Sequence, residues 1–146
     1  MSMAAVKQIS VFVENRSGGL ADVTKALADA GVNIRALSIS ETSDFGILRL
    51  IVDDVFAAGN ALKENGHIYS LTDVIAVAGE DKPGSIANIM AVLAGAGISL
   101  DYAYAFFAES KELAYMIIKV GDRELAKKVL KENNIPMVSA EQIANL

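Results

Sequence analysis

The sequence predicts an α+β protein built from two tandem βαββαβ units, and three observations lead there. Residues 14–34 (ENRSGGLADVTKALADAGVNI) align without a gap on residues 80–100 (EDKPGSIANIMAVLAGAGISL), a shift of 84 − 18 = 66, and seven of the 21 positions are identical. The echo returns in LKEN, at 62–65 and again at 130–133, with a shift of 68, so a loop gained two residues in between. Within each copy, short β-branched and aromatic runs alternate with stretches whose apolar residues fall at helical spacing. The repeating unit is about 70 residues long, and two such copies do not make a solenoid.

The elements follow in order. Residues 8–13, QISVFV, read as a strand. Gly18 and Gly19 end the turn after it, Leu20, Val23, Leu27 and Ala30 fall on one helical face, and Gly31 stands where a C-cap glycine belongs. VNIRALSIS (32–40) and FGILRLIV (45–52) read as strands joined by a turn at 42–44. Asp53 and Asp54 offer N-caps to a helix over 55–65 that Asn65-Gly66 closes, and a strand follows at 67–72. The second copy gives a strand at 73–79, a helix at 84–96, strands at 98–107 and 112–120, a helix at 122–133 and a short strand at 136–139. The tail AEQIANL reads as a final helical turn. No linker parts the copies, and the boundary falls between a domain over 1–72 and a domain over 73–146. The βαββαβ order is that of a ferredoxin-like sandwich, an antiparallel sheet with both helices on one face. Many unrelated functions share that path, so the residues must decide.

Composition excludes several of those functions. The chain has 146 residues, a net charge of −5 and a pI near 4.8. An acidic surface is a poor match for a phosphate backbone, so no nucleic acid partner is expected. Tyr102, Tyr104 and Phe106 alternate along one strand as base-stacking aromatics do, but without surrounding Lys and Arg they read as an apolar sheet face. The start, MSMAAVKQ, lacks a charged n-region followed by an apolar run, and no apolar stretch approaches the roughly 18 residues that span a bilayer. A cytoplasmic protein without a membrane role is expected.

Catalytic sets are missing too. There is no cysteine, and His67 is the only histidine, following a helix end where a solvated loop residue is the plain reading. A metal site and a catalytic triad both lack their donors, and Ser10, Ser17 and Ser85 have no base. The two turns have no Gly-Lys-Ser/Thr for a phosphate loop. KKVLKE at 127–132 is a charged helix face. Arg16 and Asn33 leave an acylphosphatase-like anion site as the remaining enzymatic alternative. The reading is a protein that is not an enzyme and uses no cofactor.

The duplicated turn is the remaining signal. In both copies a strand gives way to charge, then glycine, then at once a helix. Pro83 fits such a turn with its preset φ, and Gly84 lets the backbone come close to whatever lies opposite. The first amides of each helix lack intrahelical partners and carry the positive end of the helix dipole, a setting for a carboxylate. Asn15 and Asp81 stand just before them as acceptors for an ammonium group. Gly and Pro between strand and helix are ordinarily plain turn chemistry. Duplication of the whole cassette favours the sharper reading, a seat for an α-amino acid.

These cassettes resemble ACT domains, small amino-acid-binding regulatory modules. DKPGSI (81–86) with GISL (97–100) matches the family's signature, and NRSGGL (15–20) with GVNI (31–34) matches it with Ser-Gly in place of Pro-Gly. The resemblance covers essentially the whole chain and is closest to stand-alone tandem ACT proteins without a catalytic domain. It implies edge-to-edge pairing of the two domains into an eight-stranded antiparallel sheet with helices on one face. It implies a non-catalytic sensor that binds an amino acid between the first strand-helix loop of one domain and the second strand of its neighbour. Carried over, the ligand-binding residues are Asn15, Gly18, Gly19, Leu20, Asp81, Gly84, Ser85 and Ile86 on the loops. Asn33, Ile34, Ser99 and Leu100 complete them across the seam. Asn15 is neutral where Asp81 is charged, and Asp101 stands in the place of Arg35, so the two pockets are expected to bind unequally. The alternative is a structural adaptor or dimerisation module that regulates a partner enzyme without a small molecule. A homodimer is expected in addition, because both faces of the strands at 45–52, 98–107 and 112–120 are apolar and an uncovered sheet would expose a large patch.

Overall fold

The structure, a computed structural model, describes residues 5–14, 16–41, 44–106 and 112–146. The elements are β1 (Val6–Glu14), α1 (Gly19–Asp29), β2 (Ile34–Glu41), β3 (Phe45–Val52), α2 (Val55–Glu64) and β4 (Tyr69–Glu80). They continue as α3 (Ser85–Gly95), β5 (Leu100–Ala105), β6 (Leu113–Val120), α4 (Arg123–Glu132), β7 (Met137–Val138) and α5 (Ala140–Ala144). The chain forms two compact units, the bulk of them Lys7–Thr72 and Asp73–Ala144. Among the described residues no helix is long and apolar enough to cross a membrane.

In the first unit the strand order is β2-β3-β1-β4, and the register pairs Ile9 with Leu50, Val11 with Leu48 and Leu37 with Leu50. The strand period of two puts Ile9, Val11, Val13, Leu48, Leu50 and Val52 on one face. Val23 and Leu27 of α1 and Ala58 and Leu62 of α2 close that face into a core. The second unit repeats this with β5-β6-β4 and β7 on the far side of β4. There Ile75, Val77, Ile118 and Val120 meet Ile89 and Leu93 of α3 and Ala126 and Leu130 of α4.

Two expectations need correction. Eight strands were expected, and seven are present among the described residues, because the strands at 67–72 and 73–79 are one continuous strand. Nothing between Tyr69 and Glu80 breaks an extended run, since the sole glycine there, Gly79, lies near its end. The second correction concerns the sheet face away from the helices, which was expected to need cover from a second chain. Gln8, Ala36 and Ile51 in the first unit, and Ala76, Ile117 and Phe106 in the second, point to that face and are buried in the single chain. Ile143 of α5 is buried as well. On the same face Phe12, Phe45 and Leu113 remain exposed, so the burial within one chain is partial. Phe107, assigned to a strand face from sequence, lies outside the described residues, as do Thr42 and Ser43 of the expected turn.

The helices start in two ways. Asp54 caps α2 by accepting the Ala57 N–H at 3.0 Å, and Asp122 caps α4 by accepting the Leu125 N–H at 3.0 Å. Asp53 does not share in the capping. Its Oδ1 accepts the Asn33 N–H at 2.9 Å while its own N–H donates to Asn33 O at 3.1 Å. It thereby ties the start of β2 to the end of β3. By contrast α1 and α3 begin at Gly18 and Gly84, which supply no side-chain cap.

Asp54→Ala and Asp122→Ala are each expected to lower the unfolding free energy by about 1 kcal/mol through loss of the cap. The measurement is the urea midpoint at constant slope. An unmoved midpoint would show that water replaces the carboxylate without loss.

Candidate functional site

Each unit repeats one turn. In the first, the Arg16 N–H donates to Glu14 O (2.8 Å) and the Gly19 N–H to Arg16 O (3.2 Å). In the second, the Lys82 N–H donates to Glu80 O (2.9 Å) and the Ser85 N–H to Lys82 O (3.3 Å). Gly18 and Gly84 take φ of +85° and +91°. A Cβ added at Gly84 would meet nothing within 4 Å, and one at Gly18 only Arg16 Nη1 at 3.9 Å. The left-handed backbone therefore calls for glycine at both positions.

The close approach occurs one residue later. A Cβ at Gly19 would lie 2.9 Å from both Val13 Cγ1 and Glu14 O. The equivalents of Val13 and Gly19 in the second repeat (13 + 66, 19 + 66) are Gly79 and Ser85, and a Cβ on Gly79 would collide with Ser85 Oγ. Strand end and helix start thus meet at a spot with room for one side chain. The first repeat fills it from the strand with Val13, the second from the helix with Ser85.

Beside this contact lies a cleft in each unit, of about 520 Å³ in the first and about 610 Å³ in the second. Both are bounded by the end of the leading strand, the first turns of the helix after it, the first residue of a hairpin strand (Phe45 or Leu113) and the turn after the next helix (65–68 or 133–136). Twelve lining positions correspond at the shifts of 66 and 68, while Lys25, Ala26 and Asp29 line the first cleft alone and Pro83 and Gly84 the second alone.

Their chemistry differs. In the first cleft Arg16 Nη2 contacts Asp22 Oδ2 at 2.8 Å, with Glu14 3.5 Å from Nε, and Lys25 contacts Asp29 at 2.7 Å. The hydrogen bond and charge of Asp22 raise the Arg16 pKa, and those of Asp29 raise that of Lys25. In the second cleft Asn88 replaces Asp22, so the first turn of α3 holds no acid. One ion pair remains at its rim, Lys82 to Glu80 at 2.7 Å, and Lys82 holds the Glu80 carboxyl below its usual pKa. Ser85, Asn88, Asn133 and Asn134 supply the rest of its polar lining.

Of the residues expected from sequence, Gly19, Gly84 and Ser85 line the clefts. Gly18 and Asp81 lie in the turns beside them, and the Asp81 N–H donates to Glu112 O at 2.9 Å. Leu20 lines a small recess with Ile39 instead, and Ile86 is exposed. Asn15 lies outside the described residues. Asn33, Ile34, Ser99 and Leu100 are at the opposite end of their own units. Glu14 pairs with Phe45 and Ile34 with Val52 on β3, while Glu80 pairs with Leu113 and Leu100 with Val120 on β6. Seven residues along a strand separate the two ends by about 23 Å. A single unit does not bring both groups together.

Sequence reasoning missed Phe12, Phe45, Asp22, Asn88 and the turns at 65–68 and 133–136. The repeated LKEN, directly before those turns, was the available signal. Among the described residues no group of three or more His, Asp or Glu is placed to hold a metal ion.

A family model described as an ACT domain pair matches residues 3–146. A crystal structure of a protein from Bacteroides thetaiotaomicron is 36% identical with a TM-score of 0.92, covering 99% of each chain. The regulatory subunit of aspartate kinase from Thermus thermophilus, in its ligand-free form, is 20% identical with a TM-score of 0.64, covering 86% of this chain and 90% of that one. The corresponding subunit from Thermus flavus is 19% identical with a TM-score of 0.57, covering 99% and 95%. At such identities the Thermus structures show the shared fold. No curated protein matches the chain.

The one-side-chain contact gives a direct test. Gly79→Val should destabilise the protein by about 1–3 kcal/mol through overpacking against Ser85. Gly79→Val with Ser85→Gly, which reproduces the Val13–Gly19 arrangement, should recover most of that loss in urea unfolding. Additive losses would show that the two positions do not share one space.

Proposed function

We propose, since the chain belongs to the ACT domain pair family, that it is a non-catalytic regulatory protein that binds a free amino acid and controls a partner enzyme in trans. The observation that carries this reading is the repeated cleft beside an uncapped helix start, in a chain whose other long helices are capped by their own Asp residues. Free amides in the first turns of α1 and α3 suit a carboxylate. Glu80 and Asp81, at the mouth of the second turn, suit an ammonium group. Both cleft volumes fall in the range of small-molecule sites, about 300–1,000 Å³. The repeats 1–72 and 73–146 act as the two sensing units, and Asn33, Ile34, Ser99 and Leu100 contribute only where a second repeat supplies them to the loops of the first. The setting is the cytoplasm. Chains of like fold are regulatory subunits of aspartate kinase in two Thermus species, which is compatible with action on a separate enzyme.

A homodimer belongs to this reading on changed grounds. Leu37 and Ile39 lie exposed on the helix-side face of β2, which among the described residues pairs only with β3, and Ile39 shares a recess with Leu20. A partner chain along that edge would cover them.

Two measurements test the proposal. In a thermal-shift screen of the common amino acids, a ligand at about 100 times its Kd should add roughly 2.7 kcal/mol of stability. If none raises Tm at millimolar concentration, the sensor reading is wrong and the adaptor reading takes its place. Sedimentation should give about twice the 15.4 kDa of one chain, and a monomer at micromolar concentration would remove the dimer.

A further inference from the structure

We infer that the two clefts take different amino acids, the first one with an apolar or aromatic side chain and the second one with a small polar side chain. This rests on the amino-acid-sensor reading and deepens it. The two repeats place different side chains on the same frame, and those side chains set what each cleft can hold.

In the first cleft the space between strand and helix is filled by the methyl groups of Val13, against Gly19. Phe12 and Phe45 line it from the sheet face away from α1, with ring centroids 5.7 Å apart. Ile68, 70% exposed, follows at the turn, and its carbonyl accepts the Phe12 N–H at 3.0 Å. The charged groups along α1 are already committed to one another, Arg16 to Asp22 and Lys25 to Asp29. A polar side chain entering here would give up water for apolar walls and groups that are already paired. An apolar one would cover Phe12, Phe45 and Ile68 and gain by their removal from water.

The second cleft reverses each of these features. The same space holds the Ser85 hydroxyl, admitted because Gly79 has no side chain. The wall residues are Ala78 and Leu113, and the turn offers Pro136 in place of Ile68. Asn88 stands where Asp22 formed its ion pair, and Ala91 and Gly95 take the places of Lys25 and Asp29. Neutral donors and acceptors on Ser85, Asn88 and Asn134 are left to hydrogen-bond a hydroxyl or amide side chain. An apolar ligand would desolvate them without return, and sites built around such groups discriminate against analogues that lack the partner.

The experiment uses the full chain with L-phenylalanine and L-leucine as apolar probes and L-serine and L-asparagine as polar ones. In calorimetric titration at least one probe of each class should bind at one site per chain, and their Tm increments should add when both are present. Gly79→Val/Ser85→Gly should weaken the polar ligand by about tenfold or more and leave the apolar ligand's Kd unchanged, which also shows that the variant is folded. Phe45→Ala should do the opposite. Competition of the two classes for one site, or a variant that moves both affinities alike, overturns the inference. Binding of one class only overturns it as well and leaves the sensor reading standing. Silence towards every amino acid overturns both.

Discussion

At Gly18 and Gly84 the backbone enters a region that an L side chain occupies only with strain, and the chain turns there from strand into helix. The turn is short enough that the first helical residue lies against the last inward residue of the strand. A single side chain occupies the space between them, Val13 in one repeat and Ser85 in the other. The same turn puts a glycine at the N-cap, so each helix starts without a side-chain cap beside a cleft. Packing and the position of the cleft are two results of one constraint.

The remaining elements keep that constraint in place. Asp54 and Asp122 fix the starts of the second helices, whose far ends supply the turns at 65–68 and 133–136 that close the clefts. Gly66 and Asn134 take φ of +76° and +58° at those turns, so equivalent bends are made by different residues. Asp53 holds the far end of the first sheet through both polar backbone groups of Asn33. A rigid frame of this sort can carry quite different side chains at its rim without moving its backbone.

Much of the fold was legible, because a duplicated sequence reports each element twice and a strand-like run in one copy is checked by the other. The missed strand count came from treating a repeat boundary as a structural one. Thr72 and Asp73 adjoin without a turn residue, and an extended chain has no reason to stop there. The burial of Ile51 and Ile117 was not legible, since an apolar face reads the same whether solvent, a second chain or the same chain lies over it. The loop glycines were found, but the rest of each cleft was not. Phe12, Phe45 and Ile68 are distant in sequence and meet only through strand register. The exchange of Val13–Gly19 for Gly79–Ser85 looks like two unrelated substitutions until the contact between them is known.

The continuity of β4 bears on how such a chain can change over generations. Tyr69–Thr72 fall in one unit and Asp73–Glu80 in the other, with no break in the strand. A deletion removing either repeat at its boundary would cut the strand in two and leave the surviving copy a shortened stump. The strand ties the copies into one piece of chain, while the residues at their rims are free to differ, as Val13–Gly19 and Gly79–Ser85 do.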